Sequence, residues 1–160
     1  MVSFDALFNH KSEIEYKGKT LVRHFALREA GEYAIRFRFI SANSQFNQAI
    51  VLHFCDFVGE CYLFDQKEKI PKKRFPQIAF FMDTAPKEIE MKICLQEGAV
   101  LICNGSDPLG TKEYCRTLWA GCAMYMEKLD EHTYRCYCND HEYDDDLDDL
   151  IFDMRIEKIG

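Results

Sequence analysis

Apolar and polar residues alternate with a period of two along most of this chain. Tyr33, Ile35, Phe37 and Phe39 are interleaved with Arg36 and Arg38, and Ile89, Met91, Ile93 and Leu95 with Glu90, Lys92 and Cys94. Leu150, Phe152, Met154 and Ile156 repeat the pattern around Ile151, Asp153 and Arg155. Successive side chains of a strand point to opposite faces, so each run predicts a strand with one buried and one solvated face. Further strands are expected at 20–28, 47–55, 60–65, 75–82, 98–103, 118–127 and 132–138. Turn signals at 29–31, 41–44, 58–59 and 97–98 separate many of them. No helical period extends over ten residues, and residues 3–16 fit a short turn or an irregular strand.

About ten short strands in one domain bury their apolar faces by packing two antiparallel sheets together or by closing a barrel. The expected fold is all-β, a two-sheet antiparallel β-sandwich of the jelly-roll type. At 160 residues, with no linker and no repeat, the chain reads as a single domain over 1–160. Its 13 Phe supply much of the core volume.

The formal charge of −7 is a local property. Seven acids and no Lys or Arg fall within residues 139–149, NDHEYDDDLDD; outside that segment acids and bases balance. The one basic cluster, Lys67, Lys69, Lys72, Lys73 and Arg74, is interrupted by Glu68 and Pro71. A nucleic-acid partner is therefore not expected, since phosphate binding needs concentrated positive charge. The longest apolar run, Leu118 to Met126, is far shorter than a membrane-spanning helix requires, so no membrane partner is expected either. With no basic, apolar leader at the N-terminus, a cytoplasmic location is expected.

Most of the eight cysteines lie in apolar strand-like runs, which predicts reduced thiols packed as small hydrophobes. Cys136 and Cys138 share one face of a strand, with His141 three residues on, so a zinc site is the competing reading.

The runs GEYAIRFRFI, PKEIEMKICLQEGAVLICNGSD and DDLIFDMRIEKI resemble the galactose-binding-like jelly rolls, a superfold that includes many carbohydrate-binding modules. The likeness covers about residues 30–158 and lies in the rhythm of the strands. It implies the architecture and a binding role, often for a sugar, through loops at one end or through a concave sheet face. It assigns no residue.

Two long connections are candidate sites, 104–117 (NGSDPLGTKEYCRT) and 139–149. If successive strands run antiparallel, both leave the sheets at the same end, together with turns near 29–31, 56–59 and 83–86, while 67–74 falls at the opposite end. Trp119, Tyr114 and Tyr137 could pack against sugar rings; Arg116, Asn104, Asp107, Asn139 and Asp140 could bond hydroxyl groups. The competing readings are that Trp119 points into the core and that Asn104-Gly105 forms a turn. Within the acidic run, Asp144, Asp146 and Asp148 could converge on calcium, which takes six to eight oxygens. The same run could be a solvated loop or a docking surface for a basic protein partner. The expected function is a non-catalytic ligand-binding domain, carbohydrate foremost, with calcium as its one candidate cofactor. The alternatives are a protein-interaction or structural domain, and an enzyme drawing on His53, His132, His141, Asp140 or Glu142. No nucleophile elbow, phosphate loop or zinc-protease motif is present in the sequence.

Overall fold

The computed structural model describes residues 4–70, 76–112, 122–140 and 146–160. Among the described residues the elements are a five-residue helix α1 (Phe4–Phe8) and eleven strands: β1 (Glu13–Tyr16), β2 (Lys19–Val22), β3 (Phe25–Leu27), β4 (Gly31–Ala42), β5 (Asn47–Leu63), β6 (Gln66–Glu68), β7 (Gln77–Phe81), β8 (Glu88–Asp107), β9 (Ala123–Lys128), β10 (Thr133–Asn139) and β11 (Leu150–Lys158). The all-β class predicted from the period-two alternation is the class of the structure.

Its strands are joined into one hydrogen-bonded sheet in the order β1-β2-β9-β10-β11-β4-β8-β5-β6, with β3 on β8 and β7 on β5. One antiparallel sheet, turning back over itself, thus supplies both faces of the core that two sheets were expected to supply. Two long strands make the turn. β5 and β8 each combine what the sequence suggested were two strands. Signals at 58–59 and 97–98, expected as turns, are bends inside them.

The bends are legible in the burial pattern. Ile89, Met91, Ile93 and Leu95 face the core from the first half of β8, whereas Val100 and Ile102 face it from the second half. The alternation changes phase between them, and the β5–β8 register shifts at Cys55/Val58 and Val58/Gly59. An extra residue in one strand of a pair bends the strand and resets which face it buries. Gly98 adopts φ +85, and a Cβ there would meet the Asp56 carbonyl oxygen at 2.3 Å. Only glycine tolerates that conformation and that approach.

After the bend, segments 47–55 and 99–107, with β3 and β7, face the remaining strands across a shared core. Phe37 of β4 touches Phe80 of β7, ring centroids 6.3 Å apart, and Phe25 of β3 touches Tyr134 of β10 at 5.9 Å. Neither pair shares a strand ladder, so these contacts are core packing between the two flanks. Burying such aromatic pairs contributes roughly 0.5–1.5 kcal/mol each beyond the area removed from water.

A smaller cluster lies on the outer face of β2, β9 and β10. Phe4 and Phe8 of α1 pack there against Leu21, Ala123 and Leu147. Arg23 fixes the helix: it is buried, its Nε donates to the Lys11 carbonyl at 3.0 Å, and its guanidinium lies 4.5 Å from the Phe8 ring centre.

Register decides which loops share an end. Leu150 pairs with Ala42, Asn47 with Asp107, and Asn139 with Ala123. The described ends of the connections 43–46, 108–122 and 140–149 therefore meet at one pole, where the Met82 amide also donates to the Gln48 carbonyl. The described ends of the two long loops and the 83–86 turn share this pole; residues 113–121 and 141–145 of the loops lie outside the described residues. Turn 29–31 is at the other end, because Gly31 pairs with Leu95 and Tyr33 with Lys158. Residues 56–59 lie within β5. Lys67 of the basic segment pairs with Tyr62, away from the pole; Lys72, Lys73 and Arg74 are outside the described residues.

Candidate functional site

At the loop pole the inward-facing ends of β5 and β8 change from apolar to polar. Gln48, Asn104, Ser106, Asp107, Asn139 and Asp140 are all buried there. Asn104 Nδ2 donates to the Asn139 carbonyl and Asn139 Nδ2 to the Asp140 carbonyl, each at 2.8 Å. Gln48 Nε2 donates to the Asp140 carboxylate at 3.2 Å, and Ser44 Oγ donates to the same oxygen at 2.5 Å. Buried polar groups need such partners, because an unmet one costs about 1–3 kcal/mol.

This network changes the role expected of four candidate residues. Asn104 lies inside β8, opposite Ile50, rather than in a turn. With Asn139 and Asp140 it ties the loop bases together. Asp107 is also buried, its Oδ2 accepting from the Lys112 amide at 3.0 Å. None of the four offers an exposed face to a ligand. Trp119, Tyr114 and Arg116 lie outside the described residues, as does Asp144.

Tyr137 is placed differently. Cys136 and Cys138 point into the core, so Tyr137 between them points outward. Its cross-strand neighbour on β9 is Tyr125, with ring centroids 5.9 Å apart and planes inclined by 32°. Beside the rings is a groove of about 460 Å³ whose lining includes Lys19, Glu127, Asp146 and Asp148. Leu147 and Ile151 complete its apolar part. On the next rung, Arg135 holds Asp153 through two bonds of 2.8 and 3.0 Å.

Leu147 gives the acidic wall its form. It is a non-glycine residue at φ 52, a conformation few side chains adopt. Its side chain is buried against the α1 cluster, while Asp146 on one side is exposed and Asp148 half-buried. The wall is also tied at its base. The Asp140 amide donates to Asp149 Oδ2 at 2.9 Å, the Asp149 amide to the Cys138 carbonyl at 3.0 Å, and Asn43 Nδ2 to Asp148 Oδ2 at 2.9 Å.

Carboxylate oxygens of Asp146, Asp148 and Asp149 lie within 4.8 Å of one another. These three could hold a cation; two of them belong to the expected calcium set, and Asp149 joins them. Cys136 and Cys138 make a poor metal site. Burial first raises both thiols far above their ordinary range, and no metal-like cluster includes them among the described residues. No disulfide joins the seven described cysteines, and five of them are buried. Of the acid–base candidates, His53 lies on β5, His132 in the β9–β10 turn and Asp140 at the buried pole, so these three share no site; His141 and Glu142 are outside the described residues.

Of the residues lining this groove, the sequence reading names Tyr137, Asp146 and Asp148 as candidates but not Tyr125, Lys19, Glu127 or Leu147. Tyr125 stands in an apolar run that reads as core, and only pairing with β10 turns it outward. Among the described residues no helix is long and apolar enough to cross a membrane. The chain matches no protein-family model, no curated protein and no solved structure.

Proposed function

We propose that this protein is a non-catalytic carbohydrate-binding domain of the galactose-binding-like jelly-roll type, with its ligand in the groove outside β2, β9, β10 and β11. The supporting observation is the pair of outward tyrosines, Tyr125 and Tyr137, on adjacent strands beside Glu127, Asp146 and Asp148. Aromatic rings take the apolar face of a sugar, and carboxylates accept from its hydroxyl groups. The buried network of Gln48, Asn104, Asn139 and Asp140 then holds the loop bases in place so that less ordering entropy is lost on binding.

A glycan array followed by thermal shift tests this reading. A sugar bound only by the folded state, at 100 times its Kd, stabilises it by about 2.7 kcal/mol. Tyr137→Ala should remove the shift while leaving the protein folded. Absence of binding to any glycan would reject the proposal.

A further inference from the structure

The outward face of the sheet carries a row of alternating charge. Arg135 pairs with Glu127 on β9 and with Asp153 on β11. Asp153 pairs with Arg38 on β4, and Arg38 with Glu88 on β8. Leu21 pairs with Tyr125, and carrying that register two residues on sets Lys19 opposite Glu127; both line the groove. The chain neighbours Cys136, Met154, Phe37 and Ile89 face the core, so Arg135, Asp153, Arg38 and Glu88 face outward. Across six adjacent strands, β2-β9-β10-β11-β4-β8, the row reads Lys19, Glu127, Arg135, Asp153, Arg38, Glu88. Cations and anions alternate at every step.

The row is balanced within one chain. Arg135 lies 2.8 Å from Asp153, Arg38 lies 3.8 Å from Glu88, and Lys19 stands over the Tyr125 ring. The other two cations of this face, Arg36 and Arg155, have acids of their own, Glu90 at 2.9 Å and Glu157 at 3.3 Å. A partner of one charge sign therefore gains nothing here. What the row matches is its own reverse, because it changes sign about the midpoint between Arg135 and Asp153.

Turning a second copy by half a revolution about an axis parallel to the strands at that midpoint sets the two faces together. β10 then lies over β11 of the second copy, β9 over β4 and β2 over β8. Every charge meets its opposite: Lys19 over Glu88, Glu127 over Arg38 and Arg135 over Asp153, each twice. A slip of one strand, about 4.8 Å, would set like charge against like, so the row also fixes the register. Aligned sheets pack about 10 Å apart. Helix α1 stands on the same face on the pole side of the row, and the rotation carries its exposed Leu7 toward the exposed Ile40 of β4 in the second copy.

We infer that this face joins two copies of the chain in a two-fold dimer whose register is set by the charge row. The contact is polar, which makes the association reversible and sensitive to salt. It covers Lys19 and Glu127 and so closes the groove, which a ligand reaches in the single copy. The pairing does not rest on the carbohydrate reading.

Sedimentation velocity of the full chain in low salt should show a monomer–dimer equilibrium. Salt near 1 M, where the screening length falls to about 3 Å, should weaken it about tenfold or more. Glu127→Lys and Arg38→Glu each place two like-charge contacts in their own dimer, because a two-fold contact occurs twice. Each should weaken self-association about tenfold or more. Both side chains are exposed, so the melting temperatures should stay near that of the wild type. An equal mixture of the two variants should dimerise as the wild type does, since each supplies the charge that the other has lost. A wild type that stays monomeric at every concentration in low salt would overturn the inference. So would a dimer that neither variant weakens, or one that the mixture does not restore, either of which would place the contact elsewhere.

Discussion

The backbone amide of Asp140 donates to the carboxylate of Asp149 at 2.9 Å, across the base of the loop that carries the acidic wall. Two residues nine apart in sequence thereby close a lariat around Asp146, Leu147 and Asp148. The relationship gives a structural task to one acid in a segment whose composition alone reads as a solvated charge run. Removing the acceptor leaves the buried Asp140 amide unmet. Asp149→Ala should cost about 1–3 kcal/mol in urea denaturation, and Asp149→Asn, which keeps an acceptor oxygen, distinctly less. Equal stability of both variants and the wild type would show that the clasp contributes nothing.

Leu147 and Phe8 hold the outside of the fold together. Phe8→Ala should destabilise by about 3–5 kcal/mol, as expected for truncating a buried Phe. Arg23→Met keeps the length of the stem but loses the donor to Lys11 and the charge over Phe8. Early hydrogen exchange confined to residues around α1 and β1 is the expected signature of that variant, with the core strands β4 and β8 remaining protected.

Acid should weaken the fold through two histidines. Burial first, then the charges of Arg28 and Arg23, lowers the His24 pKa below 6.5; burial first, then His24, lowers that of His53. A base whose folded pKa is depressed binds fewer protons folded than unfolded. Its stability contribution is present above about pH 6.5 and declines as pH falls through the folded value. The melting temperature should therefore drop as the pH falls below about 6.5. His24→Gln with His53→Gln should flatten that portion of the profile; an unchanged slope would place the acid sensitivity elsewhere.

The bend in β8 should be intolerant of side chains. Gly98→Ala puts a methyl group at φ +85 and within 2.4 Å of the Cys55 and Asp56 carbonyl oxygens. Gly18→Ala is also strained at φ +80 but meets no atom within 4 Å. Chemical denaturation should show a loss for Gly98→Ala above the roughly 1–2 kcal/mol expected from backbone conformation alone, and larger than the loss for Gly18→Ala. Equal losses would mean that the close approach relaxes without cost.

Thiol reactivity should follow burial. Cys55 is exposed and Cys94 half-buried, whereas Cys61, Cys103, Cys122, Cys136 and Cys138 are buried. Burial first raises the Cys61 thiol to about 11, which leaves very little thiolate at neutral pH. Among these seven, alkylation of the native protein followed by mass mapping should modify Cys55 first, and denaturant should open the rest. Rapid native labelling of Cys136 or Cys138 would contradict their place in the core.

The sequence by itself determined the strands and their buried faces, because period-two alternation is a local consequence of backbone geometry. Tyr33, Ile35, Phe37 and Phe39 face the core as the pattern requires, and so do Leu150, Phe152 and Met154. It also located the acidic wall, since seven acids in eleven residues need no fold to be seen. Tertiary structure alone decided that 47–63 and 88–107 are continuous strands. A bend and a turn share the same glycine signal, and hydrogen bonding to a distant partner distinguishes them. Pairing with β10 likewise set Tyr125 beside Tyr137, and burial drew Asn104, Asn139 and Asp140 inward. A polar side chain near a loop has the same sequence signature whether it meets solvent, a ligand or another buried polar group, and only the packing around it selects among them.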